Sequence, residues 1–145
     1  MSILDATNRY SSSQALSATA ASTNVIDHTL DRDMGIGEVL TAIISVEVAL
    51  DATDANETYS AVVQTDSVVG FGSATTLATF PTMTRGDAVG TQYKVDFAAD
   101  KNMKQFTRIN YTLGGTTPSG TVSAWLTDRK SLDQRNEYAD GITPL

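Results

Sequence analysis

Cysteine is missing from the chain, which excludes disulfides and thiolate metal sites and leaves the redox compartment unread from thiol usage. Stability therefore has to come from packing and hydrogen bonds. A chain of 145 residues has single-domain length and buries roughly 70% of the surface its unfolded form exposes, enough for a core without staples. Basic charge is in short supply. Ten Lys and Arg stand against 17 Asp and Glu, a formal net charge of −7, which repels nucleic acid phosphate and anionic membrane alike. Direct nucleic-acid binding and membrane binding are not expected. No apolar run approaches the ~18 residues of a spanning helix, and the N-terminus lacks the basic-then-apolar layout of a secretion signal. A soluble product made in the cytoplasm is the expectation.

Imidazole is nearly as scarce. The single histidine, His28, lies between Asp27 and Thr29, and no serine sits in a Gly-x-Ser-x-Gly turn that would pair with it. The glycines of "GIG" (35–37) and "GFG" (70–72) lack the third glycine and the strand-to-helix setting of a dinucleotide loop. "DRDMG" (31–35) places glycine fifth, whereas a calcium hand needs it sixth. Asp51, Asp54 and Glu57 form a second acidic group of the kind that gathers around a hard cation, but they fit solvated turn carboxylates better. No catalytic, metal or cofactor site is expected, and the chain is not read as an enzyme.

What the sequence does have is alternation with a period of two. In "VLTAIISVEVAL" (39–50) one parity carries Leu40, Ala42, Ile44, Val46, Val48 and Leu50, opposite Thr41, Ser45 and Glu47, the pattern of a strand with one buried face. Val39 and Ile43 fall on the polar parity, so the outer face is itself partly covered. "ETYSAVVQT" (57–65) follows across "DATDAN", and the two read as a hairpin with a longish loop. "ATTLATF" (74–80), "TQYKVDF" (91–97), "FTRINYTL" (106–113) and "TVSAWLT" (121–127) continue the series, the last two around the loop signal "GGTTPSG". Ile109, Tyr111 and Leu113 would share a face with Val122, Ala124 and Leu126. With Gln14–Thr19 and Ser22–Asp27, about eight strands and no convincing helix emerge. That predicts an all-β antiparallel sandwich, of jelly-roll or immunoglobulin-like topology. An N-terminal arm (1–20), a sandwich domain (21–128) and a polar C-terminal tail (129–145) complete the expected layout.

The opening stretch "SSSQALSATAASTNVID" (11–27) carries no charge before its last residue and no aromatic. Small side chains and hydroxyls of that kind suit close approach to another surface rather than chemistry. The basic residues of the last third, Lys101, Lys104, Arg108, Arg129, Lys130 and Arg135, lack interleaved aromatics. An acidic protein surface suits them better than nucleic acid. A binding or structural role is thus the leading class.

The run Ser13-Gln14-Ala15, then Thr19 and Ala20, "STNVID" (22–27) and "RDMGIGEVL" (32–40) resembles the capsid cement, or decoration, proteins of tailed bacteriophages, of the kind known from a Bordetella phage. Weaker likeness continues through "VVQTD", "SATTLATF" and "RINYTLGG" to about residue 128 and leaves the tail unmatched. The resemblance implies a jelly-roll-like sandwich and a homodimer as the common assembly, with a trimer the other option. It also implies a place on the outer capsid surface of the virion, astride neighbouring major capsid subunits, and it carries no catalytic residues. Under this reading the expected capsid contacts are Ser11, Ser12, Ser13, Gln14, Leu16 and Thr19 of the arm with Arg129, Arg135 and Tyr138 of the tail. Trp125 and Tyr93 are candidate anchors, since aromatics and arginine dominate interfaces. Another phage structural sandwich, in a tail, baseplate or head-fibre base, is the alternative. A carbohydrate-binding module would need several coplanar aromatics and has one tryptophan to offer.

Overall fold

The computed structural model describes residues 8–28, 39–99 and 102–128. They form nine strands: β1 (Arg9–Ala15), β2 (Ala20–Ala21), β3 (Ile26–Asp27), β4 (Val39–Val48), β5 (Thr58–Asp66), β6 (Thr75–Thr79), β7 (Gln92–Ala98), β8 (Phe106–Gly114) and β9 (Thr121–Asp128). All pairings are antiparallel. One sheet has the order β1-β9-β4-β7; the other runs β2-β8-β5-β6, with β3 also on β8. First and last strands are neighbours, and every connection except β2–β3 and β5–β6 crosses between sheets. This is the strand order of a jelly roll.

Two sequence expectations change with that order. The strands at 39–48 and 58–66 are not a hairpin: β4 and β5 belong to different sheets, so residues 49–57 arch over one end of the core. Alternation reports which face of a strand is buried, not which strand lies beside it. Nor do the described residues of the expected arm form an arm, because the sandwich begins at Arg9 with β1 pairing along β9. Ile109 and Tyr111 of β8 do share a core with Val122, Ala124 and Leu126 of β9, but they meet across the sandwich rather than side by side.

The core is the set that alternation picks out. Leu40, Ala42, Ile44 and Val46 of β4 face Tyr59, Ala61 and Val63 of β5 and their neighbours, all nearly or fully buried; each large aliphatic side chain so placed contributes roughly 1.5–3 kcal/mol. Ile43, on the outer face between Trp125 of β9 and Lys94 of β7, is only 3% exposed, and Thr41 only 2%. The expected covering of that face is therefore present at these two positions. The pairs Arg9–Trp125, Asp27–Phe106, Val39–Ala98 and Leu40–Asp128 place every break in the described chain at one end of the sandwich, the end where β5 turns into β6.

Candidate partner-binding surfaces

The two sides of the sandwich, where strand edges of one sheet approach those of the other, are built differently. On the side of β1, β2 and β3 the chain is stitched across. Bulges in β1 between Arg9 and Ser11 and between Ser11 and Gln14 let consecutive Tyr10 and Ser11 both turn inward, and both are fully buried. Small serines tolerate such bulges, and Ser13 adopts φ 46° there. The Tyr10 hydroxyl lies 2.9 Å from Thr107 Oγ1 of the opposite sheet. Ser11 Oγ donates to Gln14 Oε1 at 2.7 Å and lies 2.8 Å from the Tyr111 hydroxyl. A carbonyl oxygen only accepts, so Tyr111 is the donor to Ser11. Burial pushes the Tyr111 phenol well above its ordinary pKa, which keeps that donor protonated.

Gln14 completes the closure. Its Oε1 also accepts from Thr23 N at 3.0 Å, its Nε2 donates to Ala21 O at 2.9 Å, and Asn24 N donates to Tyr10 O at 2.9 Å. Between β2 and β3, Ser22 Oγ accepts from Ile109 N at 3.1 Å, so a hydroxyl stands in for a strand partner where the chain bulges. Outside the sheet, Glu47 accepts from Ser13 Oγ at 2.5 Å and Ser123 Oγ at 2.7 Å. These hydroxyls, Ser13 foremost, hold its carboxyl below the usual range.

Among the described residues, the opposite side, between the outer edges of β6 and β7, is open. A groove of about 420 Å³ runs there, lined by Thr75, Thr76 and Leu77 of β6, Phe97 and Ala98 of β7, and Asn102 and Lys104 of the β7–β8 connection. β6 presents mostly exposed or half-buried side chains, and β7 alternates exposed with half-buried ones up to Phe97.

At the β5–β6 turn, Asp66 is 2% exposed and accepts from Ser67 N at 2.6 Å, Val68 N at 3.3 Å and Ser73 N at 2.8 Å. These amides, that of Ser73 first, hold its carboxyl below the usual range. Phe71 packs back under the Arg108 guanidinium, 4.3 Å from the ring centroid, a geometry suited to cation–π attraction. The fixed loop leaves Val68 and Val69 in water, 60% and 61% exposed.

The chemistry-bearing residues are taken up in structure. His28 Nε2 lies 2.7 Å from Thr107 Oγ1, in the network of Tyr10. Asp51 accepts from Thr53, Asp54 from Thr117 at 2.8 Å, and Glu57 Oε1 from Asp54 N at 3.0 Å. Among the described residues no three His, Cys, Asp or Glu side chains stand together as a metal site would require. Asp51 and Asp54 are turn carboxylates; Glu57 differs in being 3% exposed.

Of the expected contact residues, Ser12, Ser13 and Thr19 are exposed. Ser11 and Leu16 are buried, 0% and 1% exposed, and Gln14 is committed to the closure. Ser11 and Leu16, which the chain turns inward, are corrected from contact to packing residues, while Gln14 is half-buried. Arg108 is likewise held by Gln64, at 3.0 Å, and by Phe71. Arg129, Arg135 and Tyr138 lie outside the described residues, as does "DRDMG". Tyr93 faces the core, and its hydroxyl donates to the Asp87 carboxylate while accepting from Thr84 N at 3.0 Å; its ring flank alone remains near the β7 edge. Trp125 is half-buried on the outer face beside Ile43 and Arg9. The closure through Gln14 and the groove beside β7 were not legible in sequence, though the Lys94 and Asp96 alternation of β7 is a mark of an edge strand.

No curated protein matches the chain. A family model, Bbp16, matches residues 10–126, a span that begins inside β1, ends inside β9 and so covers the jelly roll from edge to edge. The chain belongs to the Bbp16 family of Bordetella phage proteins.

Proposed function

We propose that this protein is a capsid cement protein, seated on the outer surface of a phage head between major capsid subunits. The observation that carries the reading is the match of the whole sandwich to a phage protein family, joined to a body sealed on one side and open on the other. Its role is mechanical. Contact area spread over two neighbouring subunits has to be given up before they part, and a stable interface of that kind buries roughly 1,200–2,000 Å². A dimer holding both neighbours gains further from effective concentration, so weak single contacts combine into a durable clamp.

The candidate contacts are the exposed hydroxyl residues Ser12, Ser13 and Thr19, the valines at 68 and 69, and the tail residues Arg129, Arg135 and Tyr138. Small hydroxyl side chains allow a partner backbone to come close, and the fixed valine loop offers apolar area without an ordering cost. The net charge of −7 limits nonspecific clumping before assembly. Synthesis in the bacterial cytoplasm and residence on the virion follow from this role, and no reaction is part of it.

The test is to mix purified protein with heads that lack it and sediment them. Saturable uptake at a fixed ratio to the shell protein is expected. Uptake by tails alone moves the protein to another part of the particle, and binding to glycans alone makes it a carbohydrate module.

A further inference from the structure

The end of the sandwich opposite the β5–β6 turn carries an apolar spot that the period of two assigns to the core. Val48 shares parity with Leu40, Ala42, Ile44 and Val46, yet the bulge against β9 between Val46 and Val48 takes it off the inner face. It is 55% exposed. Past this bulge the chain stays anchored to the β6–β7 connection. Val46 N donates to Thr91 O and Gly90 N to Val46 O, both at 2.9 Å; further on, Leu50 N donates to Asp87 O at 3.0 Å and Gly86 N to Leu50 O at 2.9 Å. Val48 and Val89 both fall between these two anchors, on adjacent segments. Thr91 closes a turn on the Ala88 carbonyl oxygen, with its N at 3.2 Å and its Oγ1 at 2.8 Å, and Gly90 at the third position has φ 96°, as a type II turn requires. Val89, at the corner of that turn, is 66% exposed. A corner pinned in this way loses little freedom when something closes over it.

The surroundings of this spot are acidic. Apart from the buried Glu57, residues 47–57 and 84–91 hold Glu47, Asp51, Asp54 and Asp87 against Arg85 alone, and Arg85 donates to the Ala55 carbonyl. Arg9, a further cation near Glu47, donates to Ser12 Oγ at 3.1 Å. Hydroxyls keep two of these carboxyls below the usual range, Ser13 foremost at Glu47 and Thr53 at Asp51. We infer that Val48 and Val89 dock into an apolar hollow rimmed by lysine or arginine on the outer face of the shell protein. This rests on the proposed seat on a phage head and adds which end of the sandwich meets it. Charge selects that occupant over those the chain itself could supply. A second copy would set the same carboxylates against one another, and like charges brought together across an interface are costly. Outside the described residues, 1–7 holds one acid, 29–38 three acids against Arg32, 100–101 one of each sign and 129–145 three of each, so none of these stretches is net basic. The valines supply apolar area to the contact, and the carboxylates supply steering and selectivity.

The experiment uses the absence of cysteine. Val89→Cys should react freely with a maleimide in the purified chain and become protected once the chain has bound heads that lack it. The double variant Val48→Ser with Val89→Ser should raise the dissociation constant for those heads about tenfold or more, with an unchanged urea midpoint because both side chains are exposed. Asp54→Asn, which keeps an oxygen for Thr117, should weaken capture at low salt, and the difference from wild type should vanish at high salt. A Val89→Cys thiol already protected in the free chain would give the spot to another segment of the chain or to a second copy and overturn the inference. So would a double variant captured as tightly as wild type, or an Asp54→Asn variant indistinguishable from it at low salt. Heads that take up no wild-type chain would remove the proposed function itself, a result distinct from all of these, and the inference would fall with it.

Discussion

The two sides of this sandwich solve the same problem in opposite ways. Each side ends in strand edges whose backbone groups need partners. On the β1 side the chain supplies its own, through Gln14, Ser22, Asn24 and the inward pair Tyr10 and Ser11. On the β6–β7 side the described residues leave a groove, and no described strand pairs on the outer edge of β7. The difference separates stability from assembly. Polar groups buried on the closed side are costly to disturb, while changes on the open side should leave the fold intact and alter what it joins.

The largest effect is expected from Gln14→Ala, which removes the acceptor of Ser11 and Thr23 and the donor to Ala21. Leaving the buried Ser11 hydroxyl without its acceptor, and the half-buried Ala21 carbonyl without its donor, should cost about 1–2 kcal/mol in urea unfolding. Tyr111→Phe keeps the ring and removes one buried bond, so a loss of about 1 kcal/mol is expected. Equal stabilities for both variants and the wild type would mean the stitches do not seal that side.

Glu47→Gln should have a smaller effect, and one that depends on pH. The Ser13 and Ser123 hydroxyls lower the carboxyl's pKa in the folded state, so its contribution is fully present above the unfolded value of about 4.3 and is lost as pH falls through the folded value. The gap in urea midpoint between wild type and Glu47→Gln should therefore narrow on acidification. Smallest of all, Lys94→Ala on the open side should change unfolding by no more than about 0.5 kcal/mol when the chain is dilute enough to be monomeric.

Much of the fold was readable because one-sided burial imposes a period of two. "VLTAIISVEVAL" and "TQYKVDF" declare their inner residues directly, Val48 excepted. What could not be read was adjacency. Nothing in "DATDAN" distinguishes a hairpin from an arch, and nothing in "YSSSQA" shows that bulges turn both Tyr10 and Ser11 into the core. Gln14 looked like an exposed contact because a side-chain amide gives no sign of meeting backbone groups on a distant strand. The edge status of β7 depends on the same long-range order.

The central claim is that the molecule works by holding other subunits together. Its most direct measurement is the temperature at which DNA-filled heads rupture, with and without saturating protein. A clear rise in rupture temperature that tracks bound protein and levels off at saturation is the result the account predicts. Heads that bind the protein yet rupture at an unchanged temperature would contradict it.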